Sequence, residues 1–390
     1  MLDLRSYIVN DELVIEEPQW HVLNESYSRD EIKEAISEVI QDLPLPLLEF
    51  TEEEVREDFK NLKNLDTKSL LFKGKLHSKC DYRYPLSSWY VNNTMIGRKS
   101  SNYFHQRARW KVQHARYISP YRAWTEKKFH KTFLNPLWTL EYNKVNRKSL
   151  RQSIEMRMYV AAQFPPAVAK TVYDLFESKN VLHFSSGWVD RLAGFHASGA
   201  ETYYGIDPNQ EVWKNYFEQN KFYNTGKGVI AIQKPAEDVD LGEQKFDTVF
   251  TSPPYFHVEH YSDDETQSWK RYGKNLDVWL NEFLYTVLER CWNALDDSGT
   301  MIINIADIYT QGGFEKICDP MNDFIGSLPG SHYCGCLGLR IVKRPGKNSI
   351  RGNDDRDSKA IEPMWVWKKN DDRPLADIID SSFPLSKFFE

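Results

Sequence analysis

The sequence has few cysteines and no long apolar run, and these two absences exclude several classes of protein. Five cysteines scattered along 390 residues cannot form the dense disulfide framework of a small secreted domain. No apolar run approaches the roughly 18 residues that a membrane-spanning helix needs. The first residues, Met1 to Arg5, show neither the basic nor the apolar region of a secretory signal. We therefore expect an intracellular, cytoplasmic protein that works in a reducing environment without a membrane.

Motifs for metal binding are also absent. Cys334 and Cys336 could form half of a zinc site, but no second pair stands at the spacing that zinc ligands need. His257, Glu259 and His260 lie in a polar stretch, and a loop that folds over a ligand explains them equally well. We expect no metal.

Acidic and basic residues are distributed very unevenly, although the formal net charge is only −6. Residues 1–60 contain 17 Asp and Glu against 5 Lys and Arg. Residues 98–151 contain 14 Lys and Arg against 2 Glu. A hydrophobic content of 41% is that of a folded globular protein, so the chain joins an acidic end to a basic middle.

The acidic end has the pattern of a small helical segment, residues 1–66. Ser28 and Glu31 form a capping box before an apolar helical face that starts at Ile32. Thr51 opens a second helix with Val55 inward. We favour a packing role for this segment, and a surface for a partner protein is the alternative.

The basic middle, residues 67–150, interleaves cations with aromatic side chains. Cations neutralise phosphates and aromatic rings stack on bases, so this composition is typical of a nucleic-acid surface. The alternative is a charged helix face whose aromatic residues belong to the core. The candidate phosphate contacts are Arg98, Lys99, Arg107, Arg109, Lys111, Arg116 and Arg122.

From residue 151 onwards strand and helix patterns alternate, which predicts an α/β fold with a parallel sheet. A strand at 181–184 leads into the small residues Ser185, Ser186 and Gly187, where a ligand can approach the backbone. The next strand ends at Asp207, at the interval where dinucleotide-binding folds place a ribose-binding carboxylate.

A rigid elbow follows the fourth strand. The apolar run Phe246 to Phe250 reads as a buried parallel strand, and Thr251-Ser252-Pro253-Pro254-Tyr255 ends it, because proline cannot donate to a ladder. The elbow offers a hydroxyl, fixed carbonyls and a flat aromatic face. An exocyclic amino group fits this set, since the oxygens accept its hydrogens while the ring stacks on the base.

The sequence Thr-Ser-Pro-Pro-Tyr resembles the catalytic motif of the S-adenosylmethionine-dependent DNA methyltransferases that modify cytosine N4 or adenine N6. The resemblance covers about residues 155–368 and implies a Rossmann-like, seven-stranded methyltransferase sheet with helices on both faces, beside a mainly helical amino-terminal region. It implies catalytic roles for Thr251, Ser252, Pro253, Pro254 and Tyr255. The cofactor-binding residues that it implies are Phe164, Pro165, His183, Ser185, Ser186, Gly187, Asp190, Asp207, Glu237 and Asp238.

Two positions depart from the pattern of this family. His183 stands where an acidic residue is usual, and Val189 where a second glycine is usual. His183 cannot offer a negative charge to the cofactor's ammonium group, and Asp190 is the expected replacement. These departures put cofactor affinity in question but not the fold.

The resemblance predicts a site-specific DNA methyltransferase, of the restriction-modification type, that uses S-adenosylmethionine and flips its target base. We expect four regions: 1–66 acidic and helical, 67–150 binding nucleic acid, 151–370 methyltransferase, and 371–390 a polar tail. Methylation of RNA, methylation of a protein glutamine, and a nucleic-acid-binding subunit without catalysis remain alternatives. Serine before the two prolines slightly favours cytosine over adenine.

Overall fold

A computed structural model of the chain describes residues 2–310, 313–341 and 358–383. These residues form two compact units that interleave along the sequence. The first contains residues 1–49, 105–162 and 259–262, and the second contains residues 50–104, 163–258 and 263–390. The four continuous regions expected from the sequence therefore stay a prediction, and residues 384–390 of the expected tail lie outside the described part.

The first unit is helical and has its own apolar core. Buried residues such as Ile36, Trp110, Phe133 and Ile154 form this core. The capping box at Ser28 is confirmed, because the Glu31 amide donates to the Ser28 hydroxyl and the Ser28 amide donates back to the Glu31 carboxylate. The helices that lie wholly within this unit are Glu17–Ser26, Arg29–Ile40, Pro120–Thr125, His130–Leu134, Pro136–Thr139 and Arg147–Arg157.

The second unit is built on a twisted sheet whose centre is parallel. Five parallel strands, numbered here by their order in the chain, lie side by side in the spatial order third, second, first, fourth, fifth. Beyond the fifth strand lie two strands that are antiparallel to each other. The parallel strands are, in chain order, Asn180–His183, Thr202–Ile206, Gly228–Ile232, Phe246–Thr251 and Leu295–Asn304. The last two strands are Ser331–Arg340 and Ser358–Lys369, of which the latter pairs with the fifth parallel strand. The α/β, Rossmann-like fold class is confirmed.

The sheet is larger than the seven strands expected. The strand Trp89–Val91 pairs parallel with Ser331–Arg340, and the strand Leu71–Lys73 pairs antiparallel with Trp89–Val91. A further short strand, Lys75–His77, pairs with the first residues of Ser358–Lys369, so that the sheet has ten strands. Three short strands within residues 71–91 therefore belong to the sheet of the second unit.

Helices cover both faces of the sheet. One face packs against buried residues of 279–292 and 317–328, with Trp279, Phe283 and Ile325 among them. On the other face Tyr173 packs against His183 and Phe250. The main helices of this unit are Glu52–Asn64, Pro166–Leu175, Asp190–Ala197, Gln210–Tyr223, Thr286–Asn293, Cys318–Ser327 and Leu375–Ser382, and Arg98–Lys111 begins in this unit and ends in the first.

The helical segment that begins at Leu276 is not uniformly α-helical. It runs as a short helix, Leu276–Val278, then a π-helical segment, Trp279–Tyr285, and then the α-helix that begins at Thr286. The fifth parallel strand, Leu295–Asn304, contains the left-handed residue Ser298, and its register with the fourth strand shifts between Phe246 and Thr248. In the part of the chain that the structure describes, no helix is long and apolar enough to cross a membrane.

Candidate active site

The turns predicted to hold a ligand all follow carboxyl ends of neighbouring parallel strands. Residues 185–187 follow the first strand, Asp207 the second, residues 237–238 the third and residues 251–255 the fourth. Because these strands are adjacent and parallel, the four turns lie along one edge of the sheet. Ligands of open α/β sheets bind at this edge, where the strand order reverses.

The turn after the first strand has an unusual backbone. Gly187 has a positive φ of 56°, and nothing lies within 4 Å of the place that a Cβ would take. Val189 has a φ of 61°, also left-handed, and is fully buried. A β-branched residue rarely adopts this conformation. Val189 stands where the methyltransferases that the sequence resembles have a second glycine. The backbone at this position has the left-handed conformation that glycine adopts easily, so Val189 is strained.

The carboxylate of Asp207 is tied to the same turn. Its Oδ2 accepts the amide hydrogen of Gly187 at 2.8 Å, and its Oδ1 accepts that of Asn209 at 2.9 Å. The side chain is buried, which raises the pKa of Asp207 to about 6 although both hydrogen bonds favour the anion. Each oxygen keeps a lone pair for a further donor such as a ribose hydroxyl.

His183 lies in the core rather than at the edge of the site. Its Nε2 is 2.8 Å from the hydroxyl of Tyr173, and its ring stacks on Tyr203 with centroids 4.7 Å apart. Burial, with the nearby Arg191 cation, lowers the pKa of His183 well below its usual value. A neutral buried imidazole packs the sheet, and this explains how the chain tolerates histidine where an acid is usual.

Glu237 and Asp238, after the third strand, share one cationic partner. Arg271 donates to the Glu237 carboxylate at 2.8 Å and to both oxygens of Asp238 at 2.8 and 3.1 Å. The hydroxyl of Tyr272 also donates to Glu237, at 2.7 Å. Glu237 is buried, whereas the Asp238 side chain is about half exposed, and the cofactor contacts predicted for both residues stay predictions.

The elbow after the fourth strand is joined to the turn after the first. The hydroxyl of Thr251 donates to the carbonyl of Ser185 at 3.5 Å, and that of Ser252 donates to the carbonyl of Asn304 at 2.9 Å. Since a hydroxyl also has acceptor lone pairs, Ser252 can still accept from a ligand. Phe256, directly after the elbow, is buried with a left-handed φ of 52°. Strained backbone of this kind collects at functional sites.

Tyr255 and Phe164 complete the site. The Tyr255 hydroxyl donates to the carboxylate of Glu362, on the strand Ser358–Lys369. Phe164 packs edge-on against Phe250 with centroids 5.4 Å apart, and Pro165 caps the following helix. Phe164, one of the predicted cofactor-binding residues, therefore lies against the fourth strand.

The predicted phosphate contacts have different surroundings. Arg98 donates to the Asn93 side chain at 2.7 Å, Arg109 is buried, and Arg122 pairs with Glu126. Lys99 is half-buried with its ammonium group 5.8 Å from the centre of the Phe50 ring. The remaining cations, which are exposed, are Arg107, Lys111 and Arg116. The nucleic-acid contacts predicted for these seven residues stay predictions.

Within the first unit, acidic residues of the first 49 positions pair with basic residues beyond position 126. Lys127 and Lys131 pair with Glu34 at 3.1 and 2.9 Å. Lys144 pairs with Glu16 at 3.3 Å. The charge asymmetry of the sequence is thus partly neutralised inside one unit, which supports the packing role favoured for the acidic segment. A partner protein for that segment remains a prediction.

Two residues of the site were missed by sequence reasoning. Arg191 is buried with its guanidinium group over the ring of Phe164, and Glu362 accepts from Tyr255. Neither has a sequence signal of its own, since each depends on contacts between distant strands and turns. In the described ranges 2–310, 313–341 and 358–383, no group of three or more His, Cys, Asp or Glu is placed to hold a metal ion.

Comparison with protein families and with curated proteins found no match to the sequence. Among solved structures, the chain is similar to an rRNA methylase from Streptococcus thermophilus, with 11% identity over 54% of this chain and 98% of that one, at a TM-score of 0.33. It is similar to the tRNA (m1A58) methyltransferase TrmI from Aquifex aeolicus, with 15% identity over 54% and 70% of the chains and a TM-score of 0.33.

A third similar structure is the N-methyltransferase NodS from Bradyrhizobium japonicum WM9 in complex with S-adenosyl-L-homocysteine. Identity is 9% over 51% of this chain and 84% of that one, at a TM-score of 0.34. At this identity and these TM-scores the likenesses carry no functional argument, and the function has to be argued from the residues of the chain.

Proposed function

We propose that the protein transfers a methyl group from S-adenosylmethionine to the exocyclic amino group of cytosine or adenine in DNA. The observation that carries this proposal is the elbow Thr251–Tyr255, joined to the glycine turn by the hydrogen bond from Thr251 to Ser185. This contact brings a group of amine acceptors next to a turn that suits a nucleoside ligand.

The residues of the edge fit S-adenosylmethionine. The open space above Gly187 lets a ligand approach the backbone, and the Asp207 carboxylate beside it suits a ribose. Glu237 and Asp238 would face the adenine end, and Phe164 and Asp190 the methionine end. When bound, the cofactor supplies an electrophilic methyl carbon on a positively charged sulfur.

The elbow would act on the acceptor amine. Ser252 Oγ and the Pro253 carbonyl accept the amine hydrogens, which draws the nitrogen lone pair out of conjugation with the base. The Tyr255 ring stacks on that base and fixes it in line for transfer. Orientation of this kind supplies most of the acceleration of a bimolecular step. The nitrogen would form its bond to the methyl carbon as the carbon–sulfur bond breaks, which leaves S-adenosylhomocysteine, and it would then release one proton to solvent. The positive charge formed on the nitrogen makes this proton acidic, so no strong general base is required.

DNA is proposed as substrate because exposed cations and aromatic residues occur together. Arg107, Lys111 and Arg116 are exposed, and Tyr117 is 55% exposed beside them in the sequence. Such residues suit phosphates and unstacked bases. In duplex DNA the target base would have to leave the helix before Tyr255 could stack on it.

The test is methyl transfer from S-adenosylmethionine with an isotope-labelled methyl group to duplex DNA, single-stranded DNA, RNA and protein. Each product is digested and its nucleosides or peptides are identified by mass spectrometry. We expect label in DNA, as N4-methylcytosine or N6-methyladenine. Label found only in RNA would show that RNA is the substrate in place of DNA, with the same methyl transfer to an amino group. Label confined to protein, or none with measurable cofactor binding, would contradict the proposal.

A further inference from the structure

Arg191 is a buried cation whose guanidinium group lies close to two aromatic rings. Only 4% of the residue is exposed, and no described residue accepts a hydrogen bond from its Nε or Nη2. Its guanidinium carbon lies 4.1 Å from the centre of the Phe164 ring and 5.1 Å from that of Phe250. Because unpaired buried charges are strongly unfavourable, an arginine in this setting indicates a place for an anion.

The residue before it carries the opposite charge. Asp190 is 3% exposed, and its Oδ1 accepts from the Gln163 side chain at 3.3 Å. Two neighbouring residues, Gln163 and Phe164, therefore contact two neighbouring charges, Asp190 and Arg191. These charges stand at the first turn of the helix Asp190–Ala197, directly after the glycine turn.

The other charged and titratable groups near Arg191 are already engaged or hard to ionise. The Glu362 carboxylate accepts from the Tyr255 hydroxyl. Burial raises the pKa values of Tyr173 and Tyr203, so both phenols stay neutral. The guanidinium group keeps its charge at any ordinary pH. Asp190 and Arg191 place one negative and one positive charge side by side in the chain, and the Arg98 cation also interacts with Asp190.

We propose that Arg191 binds the α-carboxylate of the amino-acid end of S-adenosylmethionine while Asp190 receives its α-ammonium group. The inference depends on the proposed use of that cofactor. A guanidinium group matches a carboxylate with two parallel hydrogen bonds, and the cofactor has no other anionic group. The acidic charge that the family carries at the position of His183 is replaced here by an adjacent pair of charges that fits a zwitterion.

The test is calorimetric titration of the full-length protein with three ligands. S-adenosylhomocysteine has the complete amino-acid end, its decarboxylated analogue lacks the carboxylate, and 5′-methylthioadenosine lacks the whole end. Wild type should bind S-adenosylhomocysteine at least about tenfold more tightly than the decarboxylated analogue, as expected for charge-assisted hydrogen bonds. Arg191→Met should lose this discrimination and bind 5′-methylthioadenosine as wild type does.

Asp190→Asn is the matched control, because it should keep the discrimination against the decarboxylated analogue while weakening S-adenosylhomocysteine. Retained binding of 5′-methylthioadenosine shows that each variant is folded. Equal discrimination by wild type and Arg191→Met would overturn the role of Arg191 and leave the proposed function intact. If wild type bound none of the three ligands, the proposed function would fail together with this inference.

Discussion

The hydroxyl of Tyr255 donates a hydrogen bond to the carboxylate of Glu362, a residue 107 positions further along the chain. The bond connects the elbow after the fourth strand with the strand Ser358–Lys369. Burial raises the pKa of Glu362, and the tyrosine hydroxyl opposes this by stabilising the anion. Tyr255 is therefore held by its hydroxyl, and the orientation of its ring depends on Glu362.

The first prediction concerns this pair. Glu362→Gln and Tyr255→Phe each remove the charge-assisted hydrogen bond, which is about twice as strong as a neutral one. We expect each change to lower kcat by about tenfold and the double variant to lose little more, since both remove one interaction. The measurement is a double-mutant cycle in kcat with titrated S-adenosylhomocysteine affinity as control. Additive losses would show that the two residues act independently.

Tyr255→Ala tests the stacking role itself. Stacking of a base on an aromatic ring is worth about 1–3 kcal/mol, so kcat/KM should fall by about tenfold to a hundredfold. Cofactor affinity should change little, because no cofactor role is assigned to the ring. Parallel measurement of turnover and cofactor binding decides the matter, and equal losses in both would contradict stacking on the base.

We predict that cofactor affinity depends on pH through Asp207. Its pKa is about 6, and only the ionised carboxylate accepts two ribose hydroxyls, so acidification depletes the competent form. Affinity for S-adenosylhomocysteine should be constant above pH 7 and about tenfold weaker at pH 5. Titration of the protein with S-adenosylhomocysteine across this pH range shows whether affinity falls on acidification. Asp207→Asn should bind weakly with a flat profile, and an unchanged slope would assign the pH dependence to another group.

Val189 supplies a stability prediction. A left-handed conformation costs a residue with a Cβ about 1–2 kcal/mol, and glycine avoids this cost. We therefore compare the variants Val189→Ala, Val189→Gly, Val181→Ala and Val181→Gly, where Val181 is a fully buried strand residue. The change in the free energy of unfolding from the alanine to the glycine variant should be about 1–2 kcal/mol more favourable at position 189 than at position 181. Unfolding in urea of the four variants gives the comparison. The same Ala-to-Gly difference at both positions would show that Val189 is not strained.

The centre of the fold could be predicted because its signals are local. Apolar runs ended by small residues or prolines mark strands and their turns, so the turns at Gly187 and Ser252 were identified from short stretches. Parallel strands then place such turns on one edge of the sheet. The same reasoning explains why the capping box at Ser28 was identified, since its partners are three residues apart.

The rest depends on contacts between distant residues. Trp89–Val91 reads only as a short apolar stretch, and nothing in the sequence shows that it pairs with residues 338–339. The sequence does not show that Lys127 of the basic region pairs with Glu34, because the two residues are 93 positions apart. Arg191 looked like one more helix residue, because its burial is decided by Phe164 and Phe250.

The central claim is that the elbow delivers a methyl group to an exocyclic nitrogen, and the most direct measurement locates the methyl group. Single-turnover reactions with a deuterium-labelled methyl donor and duplex DNA, followed by nucleoside mass spectrometry, identify the methylated atom. We predict label on cytosine N4 or adenine N6, formed about tenfold to a hundredfold more slowly with Tyr255→Ala. Label on a ring carbon, a ring nitrogen or a ribose oxygen would contradict the account.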